Sequence, residues 1–403
     1  MEPVNLLLVG CGMMGMRHVR GLAELEQTAP GTVRLLAVCD MREQAAAKVA
    51  AEAEELLGLK PKVFTDVERA LAAEPHLQAG DVVTDPRSHD ELVVGLLEAG
   101  LDVICEKPLA LTVARGQRIV EAVQRTGRVL ATAENNRHDP MNRLAKACLE
   151  GGLIGAPNFV LQVAISPGGN IIATAWRHRL AAGGVLLDVP VHVGYILEYL
   201  LGPLQSVAAQ AQLVQSERGG EEYDGKAVKV KVDAEDCFSA VLQFQGSVQG
   251  HWTSYFASTG ETMFKRLILG SEGTLNLPSD RSGRSVEVCR GGEMLTGDAL
   301  LAQLPDYHLN EIETRLFGER PASYSLEGSA TDRKLLAAEI YDFVDAIRND
   351  RPPEVDGPTG LRSVAIIYAI LESALSHRSV AVEEVMKGSL HAYQDMVEGA
   401  ELA

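Results

Sequence analysis

Cysteine is scarce in this chain. It occupies six of 403 residues, at positions 11, 39, 105, 148, 237 and 289, with no CxxC pair among them. That spacing argues against a zinc or iron–sulfur site, and no metal is expected. Several of the six fall inside apolar runs and read as buried thiols of a reducing compartment. Positive charge is also short. Against 55 Asp and Glu stand 37 Lys and Arg, a formal net charge of −18. Such a surface offers little to offset phosphate repulsion, so neither nucleic acid nor an anionic membrane is an expected partner. Long apolar runs are missing as well. None reaches membrane-spanning length, and the opening MEPVNLLLVG has no basic stretch ahead of a long apolar one. These absences leave a folded cytoplasmic protein as the expectation. The composition agrees, with 46% apolar and 23% charged residues, 38 Gly and 17 Pro. The length suffices for two domains.

Residues 4–9 form a short apolar run ending at Gly10, followed by a glycine-rich turn and a helix-compatible segment from about Met14 to Leu25. A second run, Val33–Cys39, ends at Asp40 and precedes an Ala/Glu-rich stretch over 42–57 with high helix propensity. Strand-like and helix-like runs keep alternating through 101–105, a helix over 112–126 and a strand over 129–133. This rhythm predicts a mostly parallel sheet with helices on both faces, filling a first domain over residues 1–130. Residues 131–403 change character. Longer strand candidates at 156–165, 204–215, 227–232, 236–245, 248–257, 264–269 and 285–290 predict an α+β domain with an open, mostly antiparallel sheet. Within it Phe238, Ala240, Leu242 and Phe244 alternate with Ser239, Val241 and Gln243, a period near two. The polar run 216–226 reads as an exposed loop, and 290–330 shows no clear elements. Helices over 332–348 and 360–376 close the chain, free to pack back on the first domain.

Gly10-Cys11-Gly12-Met13-Met14-Gly15 fits G-x-G-x-x-G directly after a strand and at a helix start. The first glycine permits the tight turn and the second lets a pyrophosphate approach the backbone. The third lets helix and strand pack closely, with the helix N-terminus facing the anion. The second strand ends at Asp40, 25 residues after Gly15, where a carboxylate would hydrogen-bond an adenosine ribose hydroxyl. The class is therefore α/β with an N-terminal Rossmann dinucleotide-binding domain. Asp40 would repel a 2′-phosphate, so NAD is the expected cofactor; Arg42 keeps NADP in view.

Two further segments carry more identity than the glycines. One is Ala99-Gly100-Leu101-Asp102-Val103-Ile104-Cys105-Glu106-Lys107-Pro108; the other is Gly183-Gly184-Val185-Leu186-Leu187-Asp188 followed by His192. Around them stand His89, Arg137-His138-Asp139-Pro140, Trp176-Arg177 and Gly270-Ser271-Glu272-Gly273-Thr274. Together with the N-terminal fold, these resemble the Gfo/Idh/MocA oxidoreductases over nearly the whole chain. The resemblance implies NAD(P) on the first domain and a sugar, polyol or related secondary alcohol between the nicotinamide and the second sheet. It implies a catalytic group of Lys107, Asp188 and His192, and a homo-oligomer, dimer or tetramer, joined through second-domain sheets. Cofactor contacts fall on Gly10, Gly12, Met13, Met14, Gly15, Asp40, Arg42, Thr84, His89, Glu106, Lys107 and Asn135. Substrate contacts fall on Asn136, Arg137, Trp176, Arg177, Arg179, Asp188, His192 and Tyr195.

These residue types suit the chemistry. Oxidising a secondary alcohol removes the O–H proton while the C–H hydride moves to nicotinamide. A base with a pKa near neutrality does this best, which assigns His192 as base and Lys107 as electrostatic partner of the developing alkoxide; the reverse assignment stays open. Asp188, four residues earlier, is placed to orient either the imidazole or a substrate hydroxyl, if 188–195 is helical with Pro190 in a first turn. Glu106 is a structural or nicotinamide-side contact. Arg177-His178-Arg179 is either a solvated turn or a clamp for an acidic substrate. Asn135 and Asn136 meet nicotinamide or sugar, or cap the next helix.

The pattern breaks in two places. The family's H-x-x-D ends here at Tyr195, and its T-P-N reads Thr84-Asp85-Pro86. The first departure leaves room for a second reaction, an NAD-dependent glycoside hydrolase that oxidises transiently, eliminates the aglycone, adds water and reduces again, with Tyr195 or His192 as an extra base. By domain, residues 1–128 hold 19 acidic and 14 basic residues, net −5, and 129–403 hold 36 and 23, net −13. The excess acid thus lies in the half expected to bind substrate.

Overall fold

The computed structural model describes residues 2–221 and 225–402. The first sheet is built from β1 (Val4–Val9), β2 (Val33–Cys39), β3 (Lys62–Phe64), β4 (Ala79–Val82), β5 (Asp102–Glu106) and β6 (Leu130–Ala133). Between them run α1 (Met13–Thr28), α2 (Glu43–Leu57), α3 (Val67–Ala73), α4 (His89–Glu98) and α5 (Val113–Thr126). All pairings are parallel, in the order β3-β2-β1-β4-β5-β6, with the switch in direction between β1 and β4. Helices cover both faces, so β4, β5 and β6 are buried at every residue. Glycines in left-handed conformation end α2 and α5, Gly58 and Gly127, and release the chain toward the next strand. The parallel sheet runs to Ala133, three residues past the expected boundary.

The second part opens with α6 (Pro140–Glu150) and β7 (Pro157–Pro167), then α7 (Gly184–Asp188) and α8 (Val191–Leu201). There follow β8 (Leu204–Gln212), β9 (Glu217–Glu221), β10 (Ala227–Lys231), β11 (Cys237–Phe244), β12 (Gln249–Ser258), β13 (Met263–Gly270), β14 (Gly273–Leu277), β15 (Glu287–Arg290) and β16 (Glu293–Thr296). The chain closes with α9 (Gly297–Leu301), α10 (Glu311–Phe317), α11 (Ala330–Asn349), α12 (Gly357–Ser376), β17 (Val380–Ala381), α13 (Val382–Met386) and α14 (Ala392–Leu402). The nine-stranded sheet has the order β16-β15-β14-β13-β7-β12-β11-β8-β17, and every pair is antiparallel except β7–β12. On β11 the expected alternation holds: Phe238, Ala240, Leu242 and Phe244 are buried, whereas Ser239 and Val241 are exposed.

Three expectations need correction. The polar run 216–226 contains β9, which pairs with β10 as a two-stranded ribbon; residues 222–224 lie outside the described part. Strand β9, with a single buried residue, Arg218, among its five, carries no apolar period to read, whereas β10 falls in the expected strand 227–232. Segment 290–330 holds β16, α9 and α10, each only four to seven residues long and too short to show a period. The chain also continues past the two closing helices into β17, α13 and α14. In addition, α12 is long and apolar enough to cross a membrane by composition, yet it is the buried core helix of this fold.

Helix α11 returns to the first domain and lies on α1 so closely that a side chain on Gly21 would meet Leu336 Cβ at 2.6 Å. Helix α12 does the same to α5, where Gly116 faces Leu361. The C-terminal helices therefore carry residues to the ends of β4, β5 and β6, where the site forms.

Candidate active site

The glycine turn is shaped as its sequence demands. Gly10 has φ +103°, and a Cβ there would sit 2.8 Å from the Val83 carbonyl. A Cβ on Gly15 would fall 2.1 Å from the Gly10 carbonyl, so the third glycine lets α1 close on β1. Gly12 is different: nothing lies within 4 Å of its missing side chain. Helix α1 starts there with no side-chain cap and no acidic residue in its first turn, leaving its N–H groups free to meet an anion. Asp40 braces the turn. Its Oδ2 accepts the Cys11 N–H at 2.8 Å and its Oδ1 accepts the Arg42 N–H at 2.9 Å and Arg42 Nε at 3.3 Å. A cleft of about 1190 Å³ runs past Gly10, Gly12, Met13, Met14, Asp40, Arg42 and Thr84, and Trp176 and Arg177 close it from the second domain. An uncapped helix N-terminus beside a carboxylate, in a cleft of this size, fits an NAD-like dinucleotide.

His89 does not face that cleft. It is fully buried, its Nδ1 at 3.0 Å from the Pro108 carbonyl and its Nε2 at 3.1 Å from that of Thr84, so it ties together the loops after β4 and β5. Glu106 is buried too. Its Oε2 accepts the Lys107 N–H at 2.9 Å and its Oε1 lies 3.3 Å from His18 Nε2. His18 Nδ1 meets Asp81 at 2.9 Å. Burial alone would depress the imidazole pKa, but Asp81 and Glu106 hold it well above its usual value. Burial would raise Glu106, yet His18, Lys107 and Arg17 bring it to about 2. The Lys107–Pro108 peptide is cis.

Past that bond, Lys107 Nζ donates to the Asp188 carbonyl at 3.0 Å and to Asp188 Oδ1 at 3.1 Å. Arg177 Nε donates to Asp188 Oδ2 at 2.7 Å, and its Nη1 donates to Thr174. The Arg177 guanidinium also lies 4.3 Å over the Trp176 ring. Burial would raise the Asp188 carboxyl, but Lys107 and Arg177 outweigh it and hold the pKa at about 2. Asp188 is thus an ionised bridge between two cations, a geometry of charge-assisted bonds that fixes the lysine head group.

The imidazole has another partner. The helical path breaks between α7 and α8 with a bend of 45°, and Pro190 lies in that break. His192 Nδ1 lies 2.6 Å from Glu134 Oε2, at the end of β6, and no side chain there was expected to matter. Asp188 therefore orients the lysine rather than the imidazole, correcting that expectation.

Arg137, His178, Arg179 and Tyr195 are paired or buried within the chain itself. Arg137 pairs with Glu354 and lies 4.0 Å over the Tyr199 ring, and Arg179 pairs with Asp233 at the surface. With Arg177 held by Asp188, both arginines of the supposed anion clamp are committed to carboxylates of the chain itself. Tyr195 is buried, and burial followed by the Glu134 charge pushes its hydroxyl well above its usual pKa, which disqualifies it as a base. His178 is buried and accepts the Ile172 N–H on Nε2 at 2.9 Å.

Asn135 and Asn136 are buried and share one partner that sequence reasoning missed. Arg281, on the β14–β15 connection, donates Nε to Asn136 Oδ1 at 2.9 Å, Nη2 to Asn135 Oδ1, and Nη1 to Asp332 at 3.0 Å. Its own N–H reaches Asp139 at 2.7 Å, and its backbone has φ +63°. Asp332 in turn takes a two-pronged contact from Arg17 on α1. His18, Glu134, Arg281 and Asp332 carried no motif, because each acts through a partner distant in sequence.

Comparison with known proteins agrees with this architecture. Residues 4–134 match the Gfo/Idh/MocA family model for an oxidoreductase NAD-binding Rossmann fold, and residues 146–382 match its C-terminal alpha/beta domain. A myo-inositol 2-dehydrogenase of Thermotoga maritima is 24% identical over 380 residues, 94% of this chain and 98% of that protein. A levoglucosan dehydrogenase of Pseudarthrobacter phenanthrenivorans is 28% identical over 269 residues, 62% of this chain and 67% of that one. Among solved structures, an NAD-binding oxidoreductase from Klebsiella pneumoniae has TM-score 0.77 at 26% identity, covering 94% of this chain and 99% of its own. A levoglucosan dehydrogenase in complex with NADH has TM-score 0.76 at 25% identity over 94% and 99%. The chain belongs to the Gfo/Idh/MocA oxidoreductase family.

Proposed function

We propose that this protein is an NAD-dependent dehydrogenase of a neutral sugar or polyol, with His192 as general base and Lys107 as electrostatic partner. The observation that carries the reading is the Lys107–Asp188–Arg177 bridge, which reaches the dinucleotide cleft at Arg177, together with a separately held His192. When bound, the cofactor supplies the hydride acceptor. Lys107, fixed by two oxygens of Asp188, presents its remaining N–H to the substrate oxygen and stabilises negative charge as it develops there. His192 takes the hydroxyl proton. Asp40 favours NAD over NADP, since a carboxylate at that point repels a 2′-phosphate, while the uncapped start of α1 suits the pyrophosphate that both share.

Neutral substrates are preferred because Arg177 and Arg179 already have carboxylate partners. The hydrolase alternative draws no support from Tyr195, which is buried and held protonated. We also propose a homo-oligomer joined through the open face of the nine-stranded sheet. On that face Leu267, Leu161, His251 and Val241 lie side by side across four strands.

The test is a panel of myo-inositol, levoglucosan and D-apiose with NAD and NADP, following both reduced cofactor and release of aglycone from matching glycosides. The reading expects stoichiometric NADH from at least one alcohol and a lower KM for NAD. Aglycone release without NADH, or loss of less than twofold in turnover for both Lys107→Ala and His192→Ala, would overturn it. Light scattering measures the oligomer.

A further inference from the structure

The residue at the end of β6 has no assigned part in the reaction, yet its placement is specific. Glu134 is fully buried, and its two oxygens are used separately. Oε1 accepts the Asn136 N–H at 3.2 Å, capping the turn that leaves the first domain, and Oε2 meets His192 Nδ1 at 2.6 Å. A carboxylate so placed accepts but cannot donate, so Nδ1 carries the proton of neutral His192 and Nε2 keeps its lone pair. We infer that Glu134 is the positioning residue that makes His192 the base, forming a carboxylate–imidazole dyad separate from the Lys107–Asp188 bridge. The inference rests on the dehydrogenase reading of the same site.

In the dyad the substrate O–H bond would break as an Nε2–H bond forms, and a nicotinamide cofactor held on the glycine turn would accept the C–H electron pair as hydride. The Nδ1–H stays on the ring, and the imidazolium faces the charge of the buried Glu134. Other groups do not replace that partner. Asp280, on the β14–β15 connection, is near enough for His192 to lower its pKa, but it is bound by both arms of Arg266 and by Asn142. Asp188 is held by Lys107 and Arg177. On the far side of Glu134, burial raises both Tyr195 on α8 and Glu339 on α11, so neither adds a competing charge.

The test is Glu134→Gln, which keeps the shape and the Asn136 contact but removes the charge. The dyad expects kcat to fall roughly 100-fold, with the NAD dissociation constant unchanged within twofold. It also expects the Nδ1–H tautomer of His192, read by NMR with labelled histidine, to give way to the Nε2–H form, because with the amide oxygen on the Asn136 N–H the amide NH2 faces Nδ1. The tautomer measurement needs no substrate, so it stands apart from the identity of the alcohol. An unchanged tautomer and kcat within twofold would overturn the dyad. If His192→Ala also left turnover intact, the base assignment itself would fail. Should Glu134→Gln not fold, Glu134→Asp decides, since it keeps the charge but withdraws it by one methylene. Loss of the Nδ1–H tautomer with a fall in kcat upholds the dyad, and an unchanged tautomer with full kcat overturns it.

Discussion

The two halves of the active cleft are built by different means. The cofactor half is made by backbone: three glycines within six residues, an uncapped helix start and one carboxylate 29 residues on that braces the turn. The substrate half is made by side chains that meet across 58, 81 and 145 residues of sequence, in the Glu134–His192, Lys107–Asp188 and Asn136–Arg281 pairs. A backbone device tolerates almost no added atom but asks little of its neighbours. A side-chain device survives small shifts but fails when one charge is removed, because its partner is left buried and unpaired. The halves should therefore break in distinguishable ways.

The largest effect belongs to the substrate half. Lys107→Met removes the cation held by Asp188, and we expect kcat to fall roughly 10²–10³-fold, with NAD affinity unchanged by calorimetry. An equal loss of NAD binding would show that the halves are not separate. Next comes the cofactor half. Gly15→Ala places a methyl 2.1 Å from the Gly10 carbonyl. Relieving that contact moves α1 against β1, at about 1–3 kcal/mol of stability. Binding of NAD should weaken with it, read by thermal unfolding and calorimetry. The contrasting Gly12→Ala, with open space around its Cβ, should preserve stability and lower only affinity.

What could be read from sequence follows the same division. The glycine turn, Asp40 and the alternating strands and helices of the first domain are local, so motif and period found them. Lys107, Asp188, Arg177 and His192 came from a family resemblance, and their pairing came out differently from the four-residue spacing. The chain bends by 45° around Pro190, and Asp188 and His192 take different partners on either side of the bend. Glu134 sits among alanines and asparagines with no pattern to mark it, and Arg281 lies in a connection between two short strands. Strand β9 was hidden for a related reason: its polar surface looks like a loop, and its buried residue is Arg218, paired with Asp236.

A smaller effect is expected where the halves join. Arg281 ties Asn135, Asn136 and Asp332 together while its own backbone is held at φ +63°. Arg281→Lys loses the fork that makes three contacts at once and keeps the charge. Stability should fall by about 1–3 kcal/mol, and KM for the alcohol should rise several-fold while KM for NAD moves less. Equal shifts in both KM values would mean that the link runs through Asp332 and Arg17 to the cofactor helix, blurring the division. Arg281→Ala and Arg281→Gly lose the same side-chain contacts, so the difference between them isolates the cost of the positive φ.

The smallest net effect is one of pH, and it arises from cancellation. His178, in the loop that carries Trp176 and Arg177, is pushed down to about 4 by burial and then by Arg218. The folded state thus binds fewer protons than the unfolded one between about pH 6.5 and 4, so stability is lost as the pH falls through that window. Asp139, at the junction, is pushed up to about 6 by burial, against the N–H groups of Met141 and Arg281 that favour its ionised form. Here the folded state binds more protons between about pH 4 and 6, so this contribution is full at the acid end and is lost as the pH rises to 6. Each slope approaches about 1.4 kcal/mol per pH unit, and in the shared window they oppose. The thermal midpoint of the native protein should therefore change little between pH 4 and 6 on account of this pair. Asp139→Asn should expose a fall on acidification, and His178→Gln, which can still accept the Ile172 N–H, should expose a rise. If either variant keeps the native profile, the two groups do not titrate in opposition, and the substrate loop and the junction respond to protons as one unit.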